Sequence, residues 1–282
     1  MNMLEKAIEK SKTLKDADTP SSSKKIDNEQ SIAEENPPID QSSIIKFDWD
    51  YLHNNGFIRI DDSHSRIAEE YRSIKRPLVT NALGARKSDI KNSNLILVTS
   101  SVPGEGKTFT SINLALSIAA EMDKKVLLID ADVAKPSIAK VLGIKSKVGL
   151  IDFLETDTLS LSDIILQTEV PGLRIITAGK SHKFSTELLA SDKMIALSEE
   201  LSKRYSDRIV IFDTPPLLAT TQAEVLASQM GQVILVVAAE QTPQNFVLES
   251  AKKLQNCSDI VLAVLNKAQR NLNAGYYGYG HY

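Results

Sequence analysis

Cysteine is almost absent from this chain. Cys257 stands alone among 282 residues, which excludes a disulfide within it. Its reading is a small buried apolar side chain rather than a reactive thiol. Histidine is scarce as well, with four copies and no Cys/His spacing of the zinc-binding kind. No charge of one sign dominates. The net charge of −3 lacks the basic excess of a general nucleic-acid binder, so no nucleic-acid partner is expected. Long hydrophobic runs are missing too. Nothing approaches the ~18–20 apolar residues of a membrane-spanning helix, and the most apolar stretch, Val233 to Ala239, fits a buried strand. Glu5 and Glu9 interrupt the N-terminus, which therefore lacks the apolar centre of a secretory signal. These absences lead to the expectation of a cytoplasmic protein.

What is present is ordinary globular material, 42% apolar, long enough for one or two domains of ~100–200 residues. Residues 1–15 set Met1, Leu4 and Ile8 on one face of a short helix, with Lys6, Lys10, Lys12 and Lys15 largely elsewhere. That is either a docking helix for a partner or membrane surface, or a fraying tail. Residues 16–60 are assigned to a disordered linker. The disorder composition lies in 16–46, where Pro20, Ser21, Ser22, Ser23, Pro37 and Pro38 accompany mixed charge and few large apolar groups. Order returns near Phe47 and Trp49. A folded domain is expected over 61–270 and a separate tail over 271–282.

Within the domain a helix is predicted from Ser65 through Arg76, with Ile67, Tyr71 and Ile74 on one face and Pro77 ending or kinking it. Six short apolar strands follow: Leu95–Thr99, Val126–Ile129, Leu173–Thr177, Ile209–Phe212, Val233–Val237 and Ile260–Leu265. Helical patterns over Lys107–Glu121, Ala190–Tyr205 and Pro243–Gln255 separate several of them. Apolar strands alternating with helices imply a mostly parallel sheet covered on both faces, a doubly wound α/β fold. No internal repeat is visible.

Between the first strand and its helix lies Ser101-Val102-Pro103-Gly104-Glu105-Gly106-Lys107-Thr108, then Phe109, and all of these but Val102 are expected nucleotide contacts. Glycines permit close backbone approach, successive N–H groups converge on phosphate oxygens, and the helix N-terminus adds favourable potential. In such a loop Lys107 reaches the β- and γ-phosphates of ATP and Thr108 binds Mg²⁺. Ser101 stands where the motif usually has glycine.

Two strands run into acidic residues: Asp130-Ala131-Asp132 and Asp213-Thr214-Pro215-Pro216. In a parallel sheet these fall at the C-terminal edge, beside the phosphate loop. Asp213 fits the acid that orients Mg²⁺. Of Asp130 and Asp132, one could accept a proton from an incoming hydroxyl and the other, assigned as Asp132, help hold the metal. Asn266, after the last strand, is either an adenine contact or a turn residue. Gln269 stands where a guanine-reading motif would have aspartate.

The phosphate loop, Asp130-x-Asp132 and Asp213-Thr214-Pro215-Pro216 together resemble the MinD/ParA-related bacterial tyrosine kinases. Four of the seven tyrosines, Tyr276, Tyr277, Tyr279 and Tyr282, crowd the last seven residues with Gly278 and Gly280 between them. The resemblance implies that this cluster is the autophosphorylation substrate. A stretched chain from Asn266 could span about 50 Å at ~3.3 Å per residue, so reach alone does not choose between cis and trans transfer; the resemblance favours trans, within a ring. It further implies a subunit-contact helix motif, here Glu69-x-x-Arg72-x-x-Lys75, with lysine where the family has arginine. The segments 68–78 and 130–137, with the start 4–10, look like the free-standing autokinases of exopolysaccharide systems. That implies a membrane chain-length-determinant (polysaccharide co-polymerase) partner, peripheral placement at the inner membrane, and a cognate tyrosine phosphatase. The alternative is a MinD/ParA-type ATPase switch, against which Val102 replaces the signature lysine five residues before Lys107. A third reading is a silent adaptor that binds ATP only to dock a partner.

Overall fold

The structure is a computed structural model that describes residues 44–269 apart from 63–64, 85–86 and 146–147. The chain divides into Met1–Ile39 and Asp40–Tyr282, and every described residue belongs to the second unit. The expected docking helix over 1–15 and the four tail tyrosines lie outside the described residues.

Seven strands form one sheet: β1 (Leu95–Ser100), β2 (Val126–Asp130), β3 (Leu166–Gln167), β4 (Leu173–Ile176), β5 (Ile209–Asp213), β6 (Gln232–Ala238) and β7 (Val261–Asn266). Their order is β3-β4-β2-β5-β1-β6-β7. All pairs are parallel except β3 with β4. β1, β2 and β5 are buried along their whole length. Alternate side chains serve opposite faces: Ile96 and Val98 join one core cluster, Leu95 and Leu97 the other. A strand covered on both faces has no polar side to show, and that is why these segments read as continuous apolar runs.

The described helices are α1 (Trp49–Asn54), α2 (Arg66–Leu83), α3 (Lys107–Ala119), α4 (Ile138–Val141), α5 (Leu150–Glu155), α6 (Leu161–Ile164), α7 (Ser185–Leu189), α8 (Asp192–Lys203), α9 (Gln222–Ala227) and α10 (Gln244–Gln255). α2 and α3 cover one face, and α5, α8 and α9 the other. Ser65 caps α2 by accepting from the Ala68 N–H. The helix does not stop at Pro77 but runs on to Leu83. An internal proline costs about 3 kcal/mol. Leu78 and Ala82, both fully buried beyond it, offset that cost, since one buried leucine contributes about 1.5–3 kcal/mol.

Lys75 is a correction to the contact stripe. It is buried, and its Nζ donates to the Ser117 carbonyl at 2.5 Å and lies 2.8 Å from Glu121 Oε1. The ammonium thus closes the C-terminal end of α3, where carbonyls lack helical partners. Glu69 and Arg72 pair with each other on the exposed side. Steps of three residues slip by ~60° per step at 3.6 residues per turn, so Lys75 sits ~120° round the helix from Glu69.

The expected linker ends well before residue 60. The Ile45 N–H donates to the Gln167 carbonyl at 2.9 Å and its own carbonyl accepts from Glu169 N, also at 2.9 Å. Glu169 Oε1 then accepts from Phe47 N at 2.7 Å and Trp49 Nε1 at 2.9 Å. Phe47, Leu52, Phe57 and Ile58 are buried. Their apolar area offsets the ordering entropy of the segment, which a polar linker could not do. Among the described residues, no helix is long and apolar enough to cross a membrane.

Candidate active site

The phosphate loop leaves β1 at Ser100 and enters α3 at Lys107. Gly104 and Gly106 both have positive φ, +88° and +96°. A Cβ on Gly104 would meet nothing within 4 Å, so the backbone conformation alone selects glycine there. A Cβ on Gly106 would also lie 2.0 Å from Asn266 Nδ2. Gly106→Ala is therefore expected to cost about 1–3 kcal/mol of stability and to weaken nucleotide binding. Thermal melts with and without MgATP check this; an unchanged nucleotide-induced shift would refute it.

Pro103 and Gly104 are exposed on the loop, whereas Ser101 is buried and its Oγ donates to the Phe246 carbonyl at 3.4 Å. Lys107 Nζ stands 2.7 Å from Asp132 Oδ2, and Asp132 Oδ1 accepts from Lys135 N at 3.0 Å. Thr108 Oγ1 donates to Asp213 Oδ2 at 2.6 Å, and Ser111 Oγ donates to Asp213 Oδ1 at 3.0 Å. Asp130 Oδ2 accepts from Ser137 N at 3.1 Å and Ile138 N at 3.0 Å. Its Oδ1 is buried without a partner, the only such carboxylate oxygen among the described residues. Lys107, Thr108, Asp130, Asp132 and Asp213 are thus brought together at one sheet edge, because β2 and β5 pair in register, Asp130 opposite Asp213.

The electrostatics follow from that crowding. Burial pushes the Asp130 carboxyl up to about 7, helped by the charge of Asp213 and opposed by the Ile138 and Ser137 N–H groups. Burial also raises Asp213, to about 6, with Lys107, Thr108 and Ser111 holding it down. Among the described residues, no three carboxylate, histidine or cysteine groups converge to hold a metal by themselves. Mg²⁺ seldom uses such an all-protein cage; it takes one or two carboxylates with phosphate oxygens and water. The Thr108 hydroxyl against the Asp213 carboxylate fits that pattern.

Two of the expected contacts also have protein partners. Phe109 packs on Phe57, ring centroids 5.1 Å apart. Asn266 stands beside the phosphate loop, its Nδ2 donating to the Glu105 carbonyl at 2.8 Å. Ser111 and Ser137 are residues the sequence reading missed. Ser111 had a signal, one helical turn after Lys107, whose carbonyl it also reaches at 3.0 Å. Ser137, whose Oγ is 3.0 Å from Thr108 Oγ1, had none.

A strand–loop–helix phosphate cradle with aspartates ending β2 and β5 at the same sheet edge defines a P-loop nucleotide-binding protein. The AAA domain family model matches residues 93–270. Over 188 residues the chain is 36% identical to "Putative tyrosine-protein kinase EpsB" of Ralstonia nicotianae, covering 67% of this chain and 24% of that protein. It is 33% identical over 224 residues to "Tyrosine-protein kinase YwqD" of Bacillus subtilis, covering 78% of this chain and 90% of that one. The kinase domain of the Escherichia coli tyrosine kinase ETK superposes with a TM-score of 0.65 at 26% identity, over 83% of this chain and 93% of that domain. The chain belongs to the bacterial tyrosine-protein kinase family. It spans about a quarter of the length of EpsB and nearly all of YwqD.

Proposed function

We propose that the protein is a protein-tyrosine autokinase that transfers the γ-phosphoryl group of ATP to Tyr276, Tyr277, Tyr279 and Tyr282 of a neighbouring copy. The observation that carries the reading is the meeting of Lys107, Thr108, Asp130, Asp132 and Asp213 at one sheet edge, in a chain whose last seven residues hold four tyrosines. Loop N–H groups and Lys107 bind and orient the phosphates. Thr108 and Asp213, with Asp132, would hold Mg²⁺, which supplies charge neutralisation at the phosphoryl oxygens. Asp132 is paired with Lys107, which leaves Asp130 as the group able to take the tyrosine proton. Its raised pKa of about 7 and unpartnered Oδ1 suit a general base near neutral pH.

Each phosphate adds about −1.5 to −2 charge to the tail, enough to change assembly of a ring built partly through Glu69 and Arg72. The reading extends to control of exopolysaccharide or capsule export beside a membrane chain-length-determinant partner, opposed by a tyrosine phosphatase.

The test is intact mass and anti-phosphotyrosine signal after incubation with MgATP, comparing wild type with a chain truncated after Gly275. Several added phosphates on the wild type and none on the truncated chain are expected. ATP hydrolysis that leaves the protein unmodified, with a membrane partner present, would refute the autokinase.

A further inference from the structure

Glu105 poses a physical puzzle. It places a carboxylate two residues before Lys107, inside a loop that cradles a polyanion, where a free negative charge would repel the ligand. The structure resolves the conflict by turning the side chain away. Glu105 is 2% exposed. Its Oε2 accepts from Val102 N at 2.7 Å. Its Oε1 accepts from Thr242 Oγ1 and, at 3.4 Å, from Ala238 N. Ala238 ends β6, and Thr242 lies in the turn that follows, where Glu240 has φ +57°. The Thr242 N–H returns to the Ala238 carbonyl at 3.1 Å and closes that turn.

The loop's backbone is held from the same side. Lys267 Nζ donates to the Gly104 carbonyl at 2.7 Å and lies 3.4 Å from Gln241 Oε1, while Asn266 holds the Glu105 carbonyl. β1 lies between β5 and β6 in the sheet. The β5 and β2 side carries the three aspartates and Thr108, the groups suited to metal and acceptor. The β6 and β7 side carries a set of hydrogen bonds that fasten two turns to the phosphate loop. With the aspartates gathered on β2 and β5, the β6 and β7 side is the one left for the nucleoside of a nucleotide whose phosphates sit in the loop.

We propose that Glu105 is a positioning residue: its carboxylate clasps the phosphate loop to the turn after β6, and so holds the nucleoside wall of the pocket without touching the nucleotide. The proposal rests on the nucleotide-binding reading above. Only a carboxylate can serve here, because donors face both of its oxygens. Glutamine would set its NH₂ against either Val102 N or the Thr242 and Ala238 donors and leave them unsatisfied.

The test is calorimetric binding to the full chain in Mg²⁺, with ATP and inorganic tripolyphosphate as probes. Thr242→Val removes the hydroxyl at near-constant shape. It is expected to weaken ATP roughly tenfold while tripolyphosphate binding stays close to wild type. Thr242→Ser should restore ATP binding. Glu105→Ala should weaken both probes, because it frees Val102 as well as Thr242 and Ala238, and adding Thr242→Val to it should cost ATP binding nothing more. Wild-type affinity for ATP in Thr242→Val, or equal loss of both probes, overturns the clasp. Additive losses in the double variant overturn it too, since Thr242 would then act independently of Glu105. Should Thr242→Val fail to fold, wild-type ATP affinity in Glu105→Ala overturns the clasp in its place. A wild-type chain that binds neither probe overturns the nucleotide-binding reading as well.

Discussion

Lys107→Met is expected to reduce tyrosine phosphorylation by about 10³-fold, since in the proposed reaction the lysine neutralises charge on the transferring phosphoryl group. The fold should survive, because Lys107 begins α3 with its side chain directed at Asp132 rather than into the core. A second effect follows from the same substitution. Lys107 is the strongest influence holding the Asp213 carboxyl down against its burial. Without it Asp213 takes up protons at higher pH, and Mg²⁺ affinity near pH 7 should become more steeply pH-dependent than in the wild type. Lys107→Arg is not expected to rescue, since a planar fork does not replace a compact ammonium among phosphate oxygens. Radiolabel transfer from ATP, with far-ultraviolet circular dichroism as the folding control, measures the first effect. Activity within tenfold of wild type would remove Lys107 from the proposed chemistry.

Asp130→Asn is expected to make the nucleotide-free protein more stable at pH 8 and yet inactive. The sign follows from proton linkage. The folded-state pKa of Asp130, about 7, lies above the ordinary value of 3.8, so the folded protein binds more protons than the unfolded chain between these limits. The stability linked to this group is fully present below about pH 4 and is lost as pH rises through 7. Three units correspond to about 4 kcal/mol at 1.36 kcal/mol per unit. Asparagine removes the charge but leaves a buried amide incompletely paired, at about 2 kcal/mol. The difference, about 2 kcal/mol, raises the melting temperature at pH 8 by roughly 5 °C for a domain of this size. Toward pH 5 the advantage should vanish and then reverse. Asp213, raised for the same reason, adds a pH dependence of like sign in both proteins. Melting curves from pH 5 to 8 without Mg²⁺ provide the measurement. A gap between the two proteins that is constant with pH would show that Asp130 does not titrate in this range.

The contrast between α2 and α3 shows where sequence patterns carry and where they do not. Lys107 and Thr108 were legible because their roles follow from chain order: a strand, a glycine loop, then a helix start. Glu69, Arg72 and Lys75 looked like one stripe because three-residue spacing approximates a helical turn, but the remaining slip carries Lys75 under the helix onto α3. Pro77 was read by a local rule that the burial of Leu78 and Ala82 overrides. β3, two residues long, and the Ile45 pairing beside it are too short for any periodicity. The packing of Phe109 on Phe57, more than fifty residues away in sequence, is likewise invisible to any local pattern.

By itself the sequence determined the α/β class, six of the seven strands, the phosphate loop and the acidic strand ends. Each of these is written in local order, as apolar runs buried on both faces and polar residues where such runs stop. It took the packing of the strands and helices to pair Asp132 with Lys107 while Asp130 keeps an unpartnered oxygen, to bury Lys75, and to turn Glu105 onto Val102 and Thr242. Those outcomes depend on which strands and helices become neighbours. A side chain's hydrogen-bond partners, and the burial that shifts its pKa, come from residues far along the chain that only the packed sheet brings within reach.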